Sequence, residues 1–152
     1  MTAKDNAKGV LVDNLNGLLA DLFALYLKTK NFHWHVRGSN FRDLHLLFDE
    51  QATELFALTD LVAERVRKNG AATLTSIGAI AARSRIKDQD RANLDAAAML
   101  AELAADNEVL IGVLREAKAA ATEAGDNATE GAIDDWTDQA ERRVWFLRAT
   151  VG

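Results

Sequence analysis

Five side chains of metal-ligand type, His33, His45, Asp49, Asp60 and Glu64, fall at spacings that place them on one face of the helices expected to carry them. His45 and Asp49 are four residues apart, as are Asp60 and Glu64, so each pair projects from adjacent turns. Asp49 and Asp60 are eleven positions apart. On one continuous helix that is roughly 16 Å along the axis, too far for a single ion to bind both. An antiparallel second copy across a two-fold axis would bring His45 and Asp49 of one chain opposite Asp60 and Glu64 of the other. The spacing therefore predicts two equivalent metal sites between two chains. Two imidazoles with three carboxylates suit Fe(II), and also Zn(II), Mn(II) or Co(II), because affinity alone does not select among these ions.

These residues need long helices to hold them, and the composition favours such helices. Among 152 residues there is no proline, and Ala, Leu, Glu and Arg abound. Apolar residues recur at helical spacing from Leu11 to Tyr26, predicting a first helix over about 9–36 that Gly38 ends and leaving residues 1–8 as a short tail. Asn40 is the expected N-cap of a second helix running to Gly70, on the stripe Leu44, Phe48, Leu55, Leu58, Val62 and Val66. A short extra helix is expected over Ser76–Ala82. A third long helix is capped by Asn93 and runs to about Glu123. A fourth follows the Gly125-Asp126-Asn127 turn. Two hairpins joined by a linker of more than 20 residues make an all-α, ferritin-like four-helix bundle with the short helix in its long connection, spanning 1–152 as one domain. The first hairpin returns His33 and His45 to similar heights.

Cysteine is absent, so any metal is held by nitrogen and oxygen, and thiol chemistry is excluded. The net charge of −5 argues against a binder driven by the phosphates of nucleic acid. No leader or long uninterrupted apolar run is visible, so the expectation is a cytoplasmic protein with no membrane association. No Glu-x-x-His motif precedes any histidine, which disfavours a metal centre inside the bundle and favours the site between chains.

The segment from Lys30 to Gly38 (KNFHWHVRG) and the block from Phe41 to Gln51 (FRDLHLLFDEQ), with Asp60 and Glu64 downstream, resemble the signature of the mini-ferritins known as Dps, the DNA-binding proteins from starved cells. The likeness covers nearly the whole chain. It implies a hollow dodecamer built from two-fold dimers, with His33, His45 and Asp49 from one subunit and Asp60 and Glu64 from its mate forming each ferroxidase site. It further implies that Fe(II) is oxidised there, usually by hydrogen peroxide, and stored as ferric oxide in protection against oxidative damage. Zinc is an expected alternative occupant. Trp34, beside His33, is expected close to the centre, either intercepting radicals or packing in the interface. His35, two residues from His33, belongs to another helix face.

Asp126, Glu130 and Asp134 line one face at the start of the fourth helix. They read equally as helix capping, with Asn127 and Glu130 forming a capping box, and as an acidic iron pore of the kind the family carries at its three-fold axis. The alternative function, a nucleoid-associated protein that shields DNA, has less support. Lys4 and Lys8 are separated by Asp5, and a dodecamer multiplies the acidic charge twelvefold, so DNA binding is expected to be weak or absent. A purely structural helical assembly with idle carboxylates is the remaining alternative.

Overall fold

The computed structural model describes residues 1–150, and among these every regular element is helical. The elements are α1 (Ala3–His35), α2 (Phe41–Lys68), α3 (Ile77–Arg83), α4 (Ala96–Ala124) and α5 (Asn127–Thr150). The four long helices form the expected bundle and α3 is the short helix in the connection. α1 packs on α2, α4 on α5, and α1 on α4. Leu11, Leu15, Leu18, Leu22 and Leu25 from α1 meet Phe48, Leu55 and Val62 of α2, Leu103, Leu110 and Leu114 of α4, and Ile133, Trp136 and Leu147 of α5 in one core. By length and mean hydropathy α1 also passes as a membrane span, but more than half of its apolar window is buried in the protein.

Three helix starts differ from expectation. α1 begins at Ala3, so residues 3–8 are helix rather than tail. Thr2 and Asp5 make a reciprocal capping box, the Thr2 hydroxyl accepting from the Asp5 backbone and the Asp5 carboxylate from that of Thr2. α4 starts after Asp95 rather than Asn93. α5 is capped by Asp126, whose Oδ1 accepts from the Thr129 backbone N–H at 3.1 Å. That bond replaces the Asn127–Glu130 box, because Asn127 is already the first helical residue.

The other boundaries follow the chain's own punctuation. Val36 closes α1 in extended conformation, and Gly38, at φ +116°, makes the turn into α2. Gly125, at φ +70°, ends α4 in the left-handed conformation that glycine adopts without a Cβ clash. Ser76 caps α3 by accepting from the Ala79 N–H at 3.1 Å.

The long connection is fastened by buried charge. Lys28 donates to the Lys87 carbonyl at 2.9 Å and pairs with Asp106 at 2.8 Å and Glu102 at 3.3 Å. Asp21, fully buried, takes the Arg85 backbone N–H and the Arg85 guanidinium. These contacts hold the segment against α1 and so steady the helix that carries His33.

Candidate metal centre

The short turn between α1 and α2 brings His33, near the end of one helix, beside His45, in the second turn of the other. Their rings stack, with centroids 3.9 Å apart and planes 15° from parallel. Each ring donates to the backbone of the other's residue. His33 Nδ1 lies 2.6 Å from the His45 carbonyl oxygen, and His45 Nδ1 lies 2.7 Å from that of His33. A carbonyl only accepts, so both Nδ1 atoms carry the proton, and in the neutral rings both Nε2 lone pairs are free. The His33 carbonyl is available because it falls in the last turn of α1, where helical acceptors lack partners. Phe41 stacks on the outer face of His45 at 5.0 Å and restricts its tilt.

Asp49 lies beside His33. Its Oδ1 is 3.8 Å from His33 Nε2. Two ligands each about 2.1 Å from one ion stand between roughly 3.0 and 4.2 Å apart, according to the angle at the metal, so the observed separation fits a nitrogen–oxygen pair on one small divalent ion. The same Oδ1 accepts from the Lys30 ammonium at 2.9 Å. Lys30 therefore holds the carboxyl below its ordinary range, against the opposing effect of burial and with help from the two histidines.

Asp60 and Glu64 are not part of this cluster. α2 runs unbroken from Phe41 to Lys68, so they project from the same helix three to four turns away, and both are exposed. Among the described residues, no three histidine or acidic side chains of one chain converge on a single point. The five ligand-type residues thus form two half-sets on one helix-pair face. Asp60 stands among exposed apolar neighbours, Phe56 and Leu61, and the Phe56 ring packs on Tyr26 of α1 at 5.0 Å.

Trp34 is 57% exposed beside this group, with the Lys30 ammonium 5.8 Å from its ring centroid. His35 turns away, as its spacing required, with Nδ1 2.7 Å from the Asn31 side-chain oxygen. Lys30 was not singled out in the sequence, although its position three residues before His33 puts it on the same helix face.

The acidic run of α5 is divided by its partners. Both oxygens of Asp126 are engaged, by Arg65 at 2.9 and 3.0 Å, Asn69 at 2.9 Å, and the Thr129 backbone and hydroxyl. Burial raises its pKa, but these donors outweigh that effect and hold the carboxyl far below its usual range. Asp126 is thus a cap and a tie between α2 and α5 rather than an open pore carboxylate. Asp134 pairs with Lys118, and Glu130 remains partly exposed.

A second buried polar group was not legible from helical periodicity. Arg143, 1% exposed in the bundle, donates to Asn107 at 2.8 Å and Glu54 at 3.1 Å, while its carbonyl accepts from Gln51 at 3.3 Å. It joins α2, α4 and α5 through a cation in the bundle interior.

Comparison with known proteins agrees with this architecture. Residues 12–152 match the ferritin-like domain family. A DNA protection during starvation protein of Brevibacillus brevis is 36% identical over 135 residues, covering 89% of this chain and 90% of its own length. The crystal structure of a Dps protein from Bacillus brevis superposes with a TM-score of 0.92 at 33% identity, over 97% of this chain and 98% of the other. A Vibrio cholerae O1 Dps protein, described as one of a broad superfamily of ferritin-like diiron-carboxylate proteins, gives 0.91 at 28% identity, over 97% and 92% of the two chains. The matched fold, the extent of the match and the paired histidines on the first hairpin agree: the chain belongs to the Dps family of ferritin-like proteins.

Proposed function

We propose that this protein is an iron-storage protein and ferroxidase of the Dps type, whose active site is assembled only when two subunits meet. The observation that carries the reading is the reciprocal bonding of His33 and His45, which fixes both tautomers with Nε2 free, that of His33 facing Asp49. Fe(II) is the substrate. The neutral imidazoles hold it without adding negative charge, and Asp49, with Asp60 and Glu64 from the mate, stabilises the harder Fe(III) product. Two Fe(II) ions supply the two electrons that hydrogen peroxide needs; with two protons the peroxide leaves as two water molecules. Trp34 at the rim is placed to intercept a stray one-electron oxidant. The ferric product is stored as oxide within a dodecameric cage.

Exposed Leu27, Trp34, Phe56 and Leu61 on the α1–α2 face support burial of that face by a second copy. Condensation of DNA is not part of the reading. Lys4 and Lys8 lie in the ordered first turns of α1 beside Asp5, and the net charge is acidic.

The test is complementation. A variant lacking Asp60 and Glu64 (both to Ala) and one lacking His33 and His45 (both to Ala) should each lose peroxide-driven Fe(II) oxidation. Co-assembled in equal amounts from dissociated subunits, they should recover about a quarter of the wild-type rate, because half the dimers are mixed and each has one intact site of two. Retained oxidation by either variant alone would refute the reading, as would no recovery in demonstrably mixed assemblies.

A further inference from the structure

The His33 and His45 rings lie almost face to face, with centroids 3.9 Å apart and planes 15° from parallel. Aromatic pairs left to themselves prefer a laterally offset or edge-on arrangement, so a stack this close and this parallel is held by its surroundings. One restraint is the pair of Nδ1–H donations to the opposite carbonyl oxygens, at 2.6 and 2.7 Å. Such a bond fixes one edge of a ring and still lets it rock about that contact, carrying Nε2 with it. The outer face of His45 is closed by Phe41, whose ring stacks on it at 5.0 Å with planes 24° apart. His45 is thus the middle member of a three-ring stack, with His33 of α1 on one side and Phe41 of α2 on the other.

The turn that pairs the histidines also places Phe41. Gly38 turns the chain at φ +116°, and Phe41, the first residue of α2, donates its N–H to the Gly38 carbonyl at 3.1 Å. Four residues later on the same helix face comes His45. Within the chain Phe41 is 45% exposed and lies outside the hydrophobic core, so core burial does not account for its position. A metal ion on Nε2 draws electron density from the imidazole, and the face of the Phe41 ring attracts the positive charge that develops. The stack therefore favours the metal-loaded ring over the free one, and only such a difference between the two states alters affinity.

We propose that Phe41 is a positioning residue of the inter-subunit centre: its ring clamps His45 against His33, keeps His45 Nε2 aimed for a divalent ion and strengthens the binding of that ion. This inference rests on the inter-subunit reading above and concerns how the histidine pair is held.

The experiment is titration of the intact, metal-free assembly with Co(II), which needs no oxidant and reports binding without turnover, read by calorimetry and by visible cobalt absorption. Phe41→Leu keeps an apolar side chain and removes the flat face. It should weaken Co(II) binding by about three- to tenfold and alter the cobalt band, while Phe41→Tyr restores both. In peroxide-driven turnover the KM for Fe(II) should rise in Phe41→Leu with kcat little changed, because the lost contact acts on binding. If Phe41→Leu binds Co(II) within about twofold of wild type with the same band, or if Phe41→Tyr is as impaired as Phe41→Leu, the proposal fails while the inter-subunit site stands. If wild type binds no Co(II), or the His33→Ala and His45→Ala double variant binds it as wild type does, the inter-subunit reading fails and this inference with it. Circular dichroism and light scattering on each variant separate these outcomes from misfolding, and Phe41→Ile provides a second non-aromatic side chain should Phe41→Leu fail to assemble.

Discussion

Replacing Asp126 with alanine should destabilise the protein by about 3 kcal/mol, and the structure supplies the parts of that figure. The carboxylate caps α5 through the Thr129 N–H, an interaction whose loss costs about 1 kcal/mol. It also receives Arg65 through Nη2, with the Arg65 side chain 19% exposed and that of Asp126 12% exposed. Hydrogen bonds to a charged group in such a setting contribute about 1.5–3 kcal/mol, and truncating one partner leaves the other without compensation. Arg65 keeps its Nε bond to the Thr129 hydroxyl at 2.7 Å, which limits the loss. Asp126→Asn retains an acceptor for the helix cap but not the charge, so it should cost about half as much. Urea unfolding followed by far-ultraviolet circular dichroism measures both, at one protein concentration because association of subunits would shift the apparent stability. If Asp126 instead served an acidic iron pore, its replacement would slow iron uptake and leave unfolding within about 0.5 kcal/mol of wild type. That pattern would refute the capping argument.

Acid should reveal the same carboxylate. Because the folded protein holds Asp126 below its ordinary value of 3.8, its contribution to stability is complete above that pH and declines as pH falls below it, so Asp126→Asn should flatten the stability profile below about pH 4. Arg143→Ala should cost about 3–5 kcal/mol in chemical denaturation by leaving Glu54 and Asn107 without their buried partner, and an effect below 1 kcal/mol would contradict the network. A gel-shift titration with duplex DNA at neutral pH and ordinary ionic strength should show weak or no retention, given the net charge of −5, and a tight, salt-sensitive complex would overturn that expectation. Removing Trp34 as Trp34→Phe should leave Co(II) binding intact while increasing radical products during peroxide turnover, measured by spin trapping; unchanged radical yield would leave the indole a packing role only.

The helical class, the four long helices and the pairing of His33 with His45 were legible in the sequence because they follow from local and periodic features. Proline is absent, Gly38 and Gly125 lie where helices must stop, and apolar residues recur at the helical interval along each segment. The eleven-residue gap between Asp49 and Asp60 likewise carries a length that any unbroken helix converts into separation. Tertiary structure decided what depends on neighbours distant in the chain. Asp126, Glu130 and Asp134 look alike as a periodic acidic stripe, yet Asp126 is consumed by Arg65 of α2 and Asn69 just past its end, and Asp134 by Lys118 from α4. Periodicity names a helix face, whereas the partner on that face comes from the packing of another helix. The same reason hid Arg143, whose charge marks it as a surface residue until Asn107 and Glu54 close around it. It also hid Lys30, an ordinary helical lysine in the sequence, which only the α1–α2 hairpin brings onto the Asp49 oxygen that faces His33.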